Sequence, residues 1–268
     1  MLVYMIKKYF YLLLLLLLGG CSYISVEKDG APTRDVNVSS VPDAIPRVEP
    51  RSKYGNPESY EVLGKRYYVM QDSTGYVERG IASWYGTKFH GRRTSSGETY
   101  DMYAMTAAHK TLPLPTYVKV KNLKNNRSII VKVNDRGPFH ENRIIDLSYA
   151  AAKKLDILAN GTGLVEISAI NPYTYAGEKP SVRKASYQTG NIGFYIQVGA
   201  FADRYNAEKL TEKLGILGDN LVKISQTVVS DTVLHRVRIG PLYDIDNADK
   251  IVSQLAQIGI HDHHIVIN

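Results

Sequence analysis

Three residues in polar loops could do acid–base chemistry: Glu98, His109 and Asp135. Glu98 closes Phe89-His90-Gly91-Arg92-Arg93-Thr94-Ser95-Ser96-Gly97-Glu98. His109 lies in Met105-Thr106-Ala107-Ala108-His109-Lys110. Asp135 lies in Asn134-Asp135-Arg136-Gly137-Pro138-Phe139, with Arg143-Ile144-Ile145-Asp146-Leu147-Ser148 soon after. To cleave a glycosidic bond, a carboxylic acid must protonate the leaving oxygen. That requires a proton affinity raised by burial or by a neighbouring carboxylate. Two acids and a histidine in one basic region suit this chemistry. Each residue also has a plainer reading. Asn-Asp before Gly-Pro is ordinary turn chemistry. Glu98 can be a solvated loop charge, His109 a satisfied buried imidazole, Asp146 a helix cap and Trp84 a core residue.

Other chemistries find little support. There is no nucleophile elbow, P-loop or GxGxxG. His261, His263 and His264 cluster near the C-terminus, but alternation along a strand end puts them on different faces. No metal and no cofactor are expected. The single cysteine, Cys21, excludes an intrachain disulfide, a four-cysteine zinc site and a redox CxxC pair.

The elements that must carry these loops are mostly short strands. Tyr60 to Val69 reads as two strands around a turn at Gly64-Lys65, and Gly80 to Gly86 as another. Tyr117 to Leu123 alternates, turns at Asn125-Asn126 and returns from Ser128 to Val133, a hairpin. Ser148 to Leu155 has helical composition with Asp146 or Ser148 as its cap, and Leu164 to Ile170 is a last strand. Short strands, frequent glycine and few helices suggest a small barrel over residues 78–170, with strands at 58–77 leading into it. Residues 171–192 read as a linker. Residues 193–268 then run strand, helix, strand, strand, helix, strand, the ferredoxin-like order. The fold class is therefore mainly β plus α+β.

The 268 residues carry 33 Lys and Arg against 26 Asp and Glu, a net +7. The surplus is local. Residues 78–171 hold 14 cations and 8 carboxylates, whereas residues 193–268 are net −2. A basic middle region invites an anionic polymer. At the front, Lys7 and Lys8 precede ten apolar residues, Tyr9 to Leu18. That run is too short to span a bilayer and has the pattern of a secretory signal. Residues 21–57, with Pro32, Pro42, Pro46, Pro50 and Pro57, read as a flexible or extended tether.

Taken together, these motifs resemble the rare lipoprotein A family. The resemblance rests on Ala82-Ser83-Trp84-Tyr85-Gly86, Phe89-His90-Gly91-Arg92, Ser96-Gly97-Glu98, Met105 to Pro113, Asn134 to Phe139 and Arg143 to Ser148. Leu18-Gly19-Gly20-Cys21 resembles a bacterial lipobox. Tyr195-Ile196-Gln197-Val198-Gly199-Ala200-Phe201 with Arg238-Ile239-Gly240-Pro241 is similar to a SPOR domain.

The resemblance implies a double-psi β-barrel followed by a SPOR domain, and a lytic transglycosylase acting on peptidoglycan strands stripped of stem peptides. Such enzymes break the MurNAc–GlcNAc bond without water. The sugar's own C6 hydroxyl attacks, leaving a 1,6-anhydro-MurNAc end. In the family motif the catalytic acid falls on Asp135, with Glu98 and His109 at the other two essential positions. Related double-psi barrels place the acid nearer Asp146, which keeps Asp146 as a second candidate. Trp84, Tyr85, Arg136 and Asp146 are expected to contact glycan in the barrel, and Tyr195, Gln197 and Arg238 on the SPOR sheet. Lipidation of Cys21 would anchor the chain in the outer membrane facing the periplasm. Denuded glycan is the expected partner, with septal division proteins as candidate partners. Nucleic acid is not expected, since the RNP1 pattern is absent and the last domain is acidic. Two other readings stay open: an expansin-like barrel that grips glycan without cutting it, and a hydrolase using water.

Overall fold

The protein is described as a computed structural model over residues 29–175, 192–218 and 221–267. The expected signal segment 1–20, Cys21 and the centre of the 171–192 linker lie outside the described residues.

The first strands, β1 (Ser59–Val62) and β2 (Lys65–Tyr68), form a separate hairpin. Its turn is Leu63-Gly64, one residue earlier than expected. Both residues have positive φ, +51° and +75°, as a two-residue primed turn requires. The next six strands are β3 (Val77–Tyr85), β4 (Thr106–His109), β5 (Thr116–Asn122), β6 (Ser128–Asp135), β7 (Arg143–Ser148) and β8 (Gly163–Ala169). They close a barrel in the order β3-β7-β4-β6-β5-β8. The β3–β7 and β4–β6 pairs are parallel and the other four antiparallel. Val118, Val120, Val131, Val133, Ile145, Leu147, Val165 and Ile167 are fully buried inside it, the period-two face of each strand.

Two segments expected as polar loops are barrel strands, β4 and β7. Each lays one face on the core, Ala107 in β4 and Ile145 with Leu147 in β7, and gives its other face to polar residues. Helix α1 (Tyr149–Leu155) follows β7. Its cap is Ser148, whose hydroxyl accepts the Ala151 N–H at 3.2 Å. Asp146, the other candidate cap, stands two residues upstream within β7.

The tether reading also needs correction. Residues 29–57 contain no helix or strand, yet they are fastened along the barrel. Asp29 accepts the N–H groups of Gly86 and Lys88. Asp35 meets Lys153 and Tyr149. Asp43 accepts the Ile130 N–H and pairs with Lys154 at 2.6 Å. Ser52 N–H reaches the Leu114 carbonyl. Only Val38 and Pro46 are buried as the core is. A strap held by isolated acids and carbonyls has no apolar periodicity to show.

The last domain is β9 (Phe194–Phe201), α2 (Arg204–Lys213), β10 (Val222–Val229), β11 (Thr232–Leu242), α3 (Ile245–Gln257) and β12 (His264–Ile267). Its sheet order is β10-β11-β9-β12, the expected βαββαβ arrangement. Asp203 and Asp244 cap the two helices. A hydrogen-bonded ion pair joins the domain to the barrel. Arg143, buried at the start of β7, gives two hydrogen bonds to Asp249 of α3, at 3.1 and 2.5 Å. Asn142 donates to the same carboxylate, and His263 meets the Asn142 side-chain oxygen at 3.0 Å.

Candidate active site in the barrel wall

The side of the barrel wall facing away from the core carries the acids. Alternation along β6 turns Val131 and Val133 inward and Lys132 outward. The β4–β6 register passes from Ala107↔Val133 to Ala108↔Asp135, so Asn134 is an extra residue. Such a bulge re-aims the side chains beside it. In-register pairs then line up four residues on neighbouring strands: Ser83 with Asp146, Asp146 with Ala108, and Ala108 with Asp135. The Asp135 and Asp146 backbones are two strand spacings apart, roughly 9–10 Å. In the register between them stands Ala108, a small and buried residue.

The two acids have different surroundings. Oδ1 of Asp135 accepts three hydrogen bonds: from the Ser95 N–H at 2.8 Å, the Ser95 hydroxyl at 2.7 Å and the Arg136 N–H at 2.7 Å. Asp146 is largely buried and, among the described residues, accepts one side-chain hydrogen bond, from the Ser83 hydroxyl. Burial raises its pKa above the ordinary carboxylate value, against the pull of Ser83 and of the Arg143 and Lys110 cations. Lys110 is itself pushed down to about 8, chiefly by burial. Its ammonium donates to the Arg143 carbonyl at 2.6 Å.

Tyr85 belongs to the same site. Its ring stacks on Tyr100 at 4.1 Å. Its hydroxyl is buried beside that of Thr106, and neither has another hydrogen-bond partner among the described residues. Burial first, then the charges of Tyr100, Asp135 and Asp146, push the phenol well above its ordinary pKa. It is therefore a neutral O–H donor.

Glu98 sits one row along the wall. Its carboxylate takes Lys132 Nζ at 2.8 Å and Asn134 Nδ2 at 2.7 Å. Burial alone would raise its pKa, but those two partners bring it below the ordinary value. His109 lies on the other side of β4 and is 2% exposed. Its Nδ1 accepts the Thr111 and Leu112 N–H groups, at 3.1 and 3.0 Å. The ring proton is therefore on Nε2, 3.0 Å from the Tyr76 hydroxyl, which in turn donates to Glu78. Burial lowers its pKa, so the imidazole is neutral. Among the described residues no hydrogen bond joins Glu98, His109 and Asp135 directly. Glu98 reaches Asp135 through its neighbour Asn134, and His109 through its own backbone carbonyl, which accepts from the guanidinium of Arg136, whose N–H donates to Asp135.

Arg136, expected to contact glycan, is occupied otherwise. Its guanidinium donates to the carbonyls of Gly55 at 2.9 and 2.7 Å, His109 at 3.1 Å and Leu112 at 2.6 Å. It is a brace for the loop that carries Asp135. Trp84 packs edge-on to Tyr149 at 6.2 Å and lies against the core, outside the acid row. Ser83, Ser95, Lys132, Asn134, Tyr76 and Glu78 were not singled out from the sequence as chemistry. Alternation in Ile130-Val131-Lys132-Val133 could have flagged Lys132, but the loop contacts of Ser95 and Tyr76 have no sequence period.

On the SPOR sheet the expected residues come together. Tyr195 and Gln197 are two apart on β9, on the face opposite Phe194, Ile196 and Val198, but Gln197, expected to contact glycan, is itself only 7% exposed. Arg238 is the partner of Gln197 across the ladder. It donates to the Gln197 side-chain oxygen at 3.1 Å, and its guanidinium lies 6.0 Å from the Tyr195 ring centre. Alternation along one strand could not establish this, because Arg238 stands on another.

Comparison with known proteins agrees with both halves. A family model described as "Lytic transglycolase" matches residues 77–167, and one described as "SPOR domain" matches residues 190–266. The chain is 42% identical over 282 residues to "Endolytic peptidoglycan transglycosylase RlpA" of Pseudomonas aeruginosa (strain UCBPP-PA14), covering 87% of this chain and 82% of that one. It is 42% identical over 259 residues to the protein of the same name from Vibrio cholerae serotype O1, covering 95% of each. With that of Neisseria meningitidis serogroup B (strain ATCC BAA-335 / MC58) it shares 55% identity over 166 residues, 62% of this chain and 65% of the other. The chain belongs to the rare lipoprotein A family.

Proposed function

We propose that this chain is a peptidoglycan lytic transglycosylase that cuts MurNAc–GlcNAc bonds in strands lacking stem peptides. The observation that carries the reading is the outward row Ser83–Asp146–Ala108–Asp135, which offers two carboxyls of different environment on either side of one small residue. The relatives' names support the reaction class. Asp135 gives its proton to the leaving glycosidic oxygen as the C1–O bond breaks. The C6 hydroxyl of the same MurNAc bonds to C1, and the Asp135 carboxylate takes the hydroxyl proton. Atoms balance without water, and the new end is 1,6-anhydro-MurNAc. Glu98 and His109 hold the loops around Asp135.

One observation favours a second assignment of the acid. Asp146 is the carboxyl whose burial raises its proton affinity, the property a proton donor needs. In that version Asp146 protonates the leaving oxygen and Asp135 receives the hydroxyl proton.

Targeting follows from the second domain. The Tyr195–Gln197–Arg238 face pairs an aromatic ring with a cation, a surface for denuded glycan with its lactyl carboxylates. Action at the division septum and a lipid anchor at Cys21 in the outer membrane belong to the same reading. The opposing reading is a barrel that grips glycan without cutting it.

Soluble protein from Ser22 onward, incubated with amidase-stripped peptidoglycan, decides between them by mass spectrometry of the products. Anhydro-ended fragments from wild type and none from Asp135→Asn are expected. No fragments from wild type, with glycan pull-down intact, would leave a binding protein.

A further inference from the structure

The site is not built from barrel strands alone. The strap preceding the barrel touches it at two places. At the first, Glu49 Oε2 takes Lys132 Nζ at 2.9 Å, and the same ammonium bonds Glu98 at 2.8 Å. Glu49 Oε1 accepts the Tyr117 hydroxyl and Arg47 Nε. Burial would raise the Glu49 pKa, but hydrogen bonds from Tyr117, Lys132 and Arg47 bring it to about 2. Glu49 is therefore charged at any working pH, and Lys132 stays divided between two carboxylates.

At the second place, the Gly55 carbonyl accepts both Nε and Nη2 of Arg136. Asn56 bonds both the N–H and the carbonyl of Leu114, each at 2.8 Å. Gly55 has φ +78°, and a Cβ there would lie 2.7 Å from the Ser95 carbonyl oxygen and 2.9 Å from Leu114 Cδ1. Close approach and positive φ both demand glycine. Ser95 and Arg136 are the two residues whose N–H and hydroxyl groups hold Asp135.

We propose that Glu49, Gly55 and Asn56 are positioning residues of the active site. In this role Glu49 sets Lys132 against Glu98, and Gly55 with Asn56 fixes the Ser95–Arg136 cradle of Asp135. The inference rests on the transglycosylase reading of that site. It extends the site beyond the 77–167 segment that the barrel family model matches.

Two variants of the chain from Ser22 onward test it. Gly55→Ala is compared with Gly161→Ala. Both glycines have positive φ, +78° and +71°, but Gly161 has nothing within 4 Å of the added carbon. Both variants bear backbone strain, and only Gly55→Ala also pushes on Ser95. It should lower kcat for anhydro-fragment release about tenfold or more, since a small displacement of a catalytic group has effects of that size. KM should barely move, and Gly161→Ala should keep both constants.

The second variant, Glu49→Gln, is read by carboxyl ¹³C NMR titration. The groups facing Glu98 are Lys132 and Asn134 of β6 and Glu49 of the strap. Losing the Glu49 charge removes the one that opposes ionisation, so the Glu98 midpoint should move to lower pH. Equal kinetics in the two glycine variants, or an unmoved Glu98 midpoint, overturns the proposal. If Gly55→Ala does not fold, the Glu49→Gln titration decides. That titration needs no turnover. A wild type that releases no fragments therefore sinks the transglycosylase reading, while the midpoint still decides the strap.

Discussion

Replacing Asp146 with Asn should make the protein more stable at neutral pH while impairing the site. Asp146 is largely buried and, among the described residues, has one side-chain hydrogen-bond donor, Ser83, and no ion pair within 4 Å. Its folded pKa lies above the ordinary value of 3.8, so folding prefers the protonated form. The stability tied to this group is full below its unfolded pKa and is lost as pH rises through its folded pKa. Across that window wild type should lose up to ~1.4 kcal/mol per pH unit relative to Asp146→Asn, the slope for one proton. Below about pH 4 the difference should be constant, and above the folded pKa constant again. Groups that do not feel Asp146 cancel in the difference, and measurements kept below pH 7 hold Lys110, which does feel it, charged. Urea unfolding of both proteins across this range gives the curve directly. An advantage of Asp146→Asn over wild type that stays flat, or shrinks, as pH rises would refute this, because the carboxylate would then be at ease in its place.

Ser95→Ala removes the hydroxyl donor to Asp135 while keeping the N–H. A hydrogen bond to a charged group is worth about 1.5–3 kcal/mol, so kcat on denuded glycan should fall about 10- to 100-fold. Asp249→Asn leaves Arg143, whose side chain is 7% exposed, without its charge partner. It should cost about 1–3 kcal/mol, discounted because Asp249 is partly solvated. Calorimetry should show the barrel and SPOR transitions separating. Tyr195→Ala and Arg238→Ala should each weaken glycan pull-down about tenfold, the effect of truncating an aromatic or arginine anchor, with cutting of short soluble strands unchanged.

Much of the framework was legible because its periods are strict. Lys119-Val120-Lys121 and Val131-Lys132-Val133 alternate against one core, so the β5–β6 hairpin could be read directly. The last domain could be read from its element order, and Ser148 from its place before Tyr149. Strands β4 and β7 were hidden because Thr106-Ala107-Ala108-His109 and Arg143-Ile144-Ile145-Asp146 place functional groups on the very face that would mark a strand as half-buried. The strap was missed for a related reason. Asp29, Asp35, Asp43 and Glu49 are spaced irregularly, and each finds its partner through tertiary geometry. Arg136 looked like a substrate contact by its place in the motif, yet the carbonyls of His109, Lys110 and Leu112 and the strap use up its donors. Sequence could nominate Asp135 and Asp146, but only the bulge at Asn134 and the register through Ala108 show that they share one row.

Bond cleavage without water is tested by digesting denuded glycan in water labelled with heavy oxygen. Wild-type fragments should carry no label and be one water lighter than reducing sugars, with no such fragments from Asp135→Asn. Label at the new sugar end would contradict it and make the protein a hydrolase.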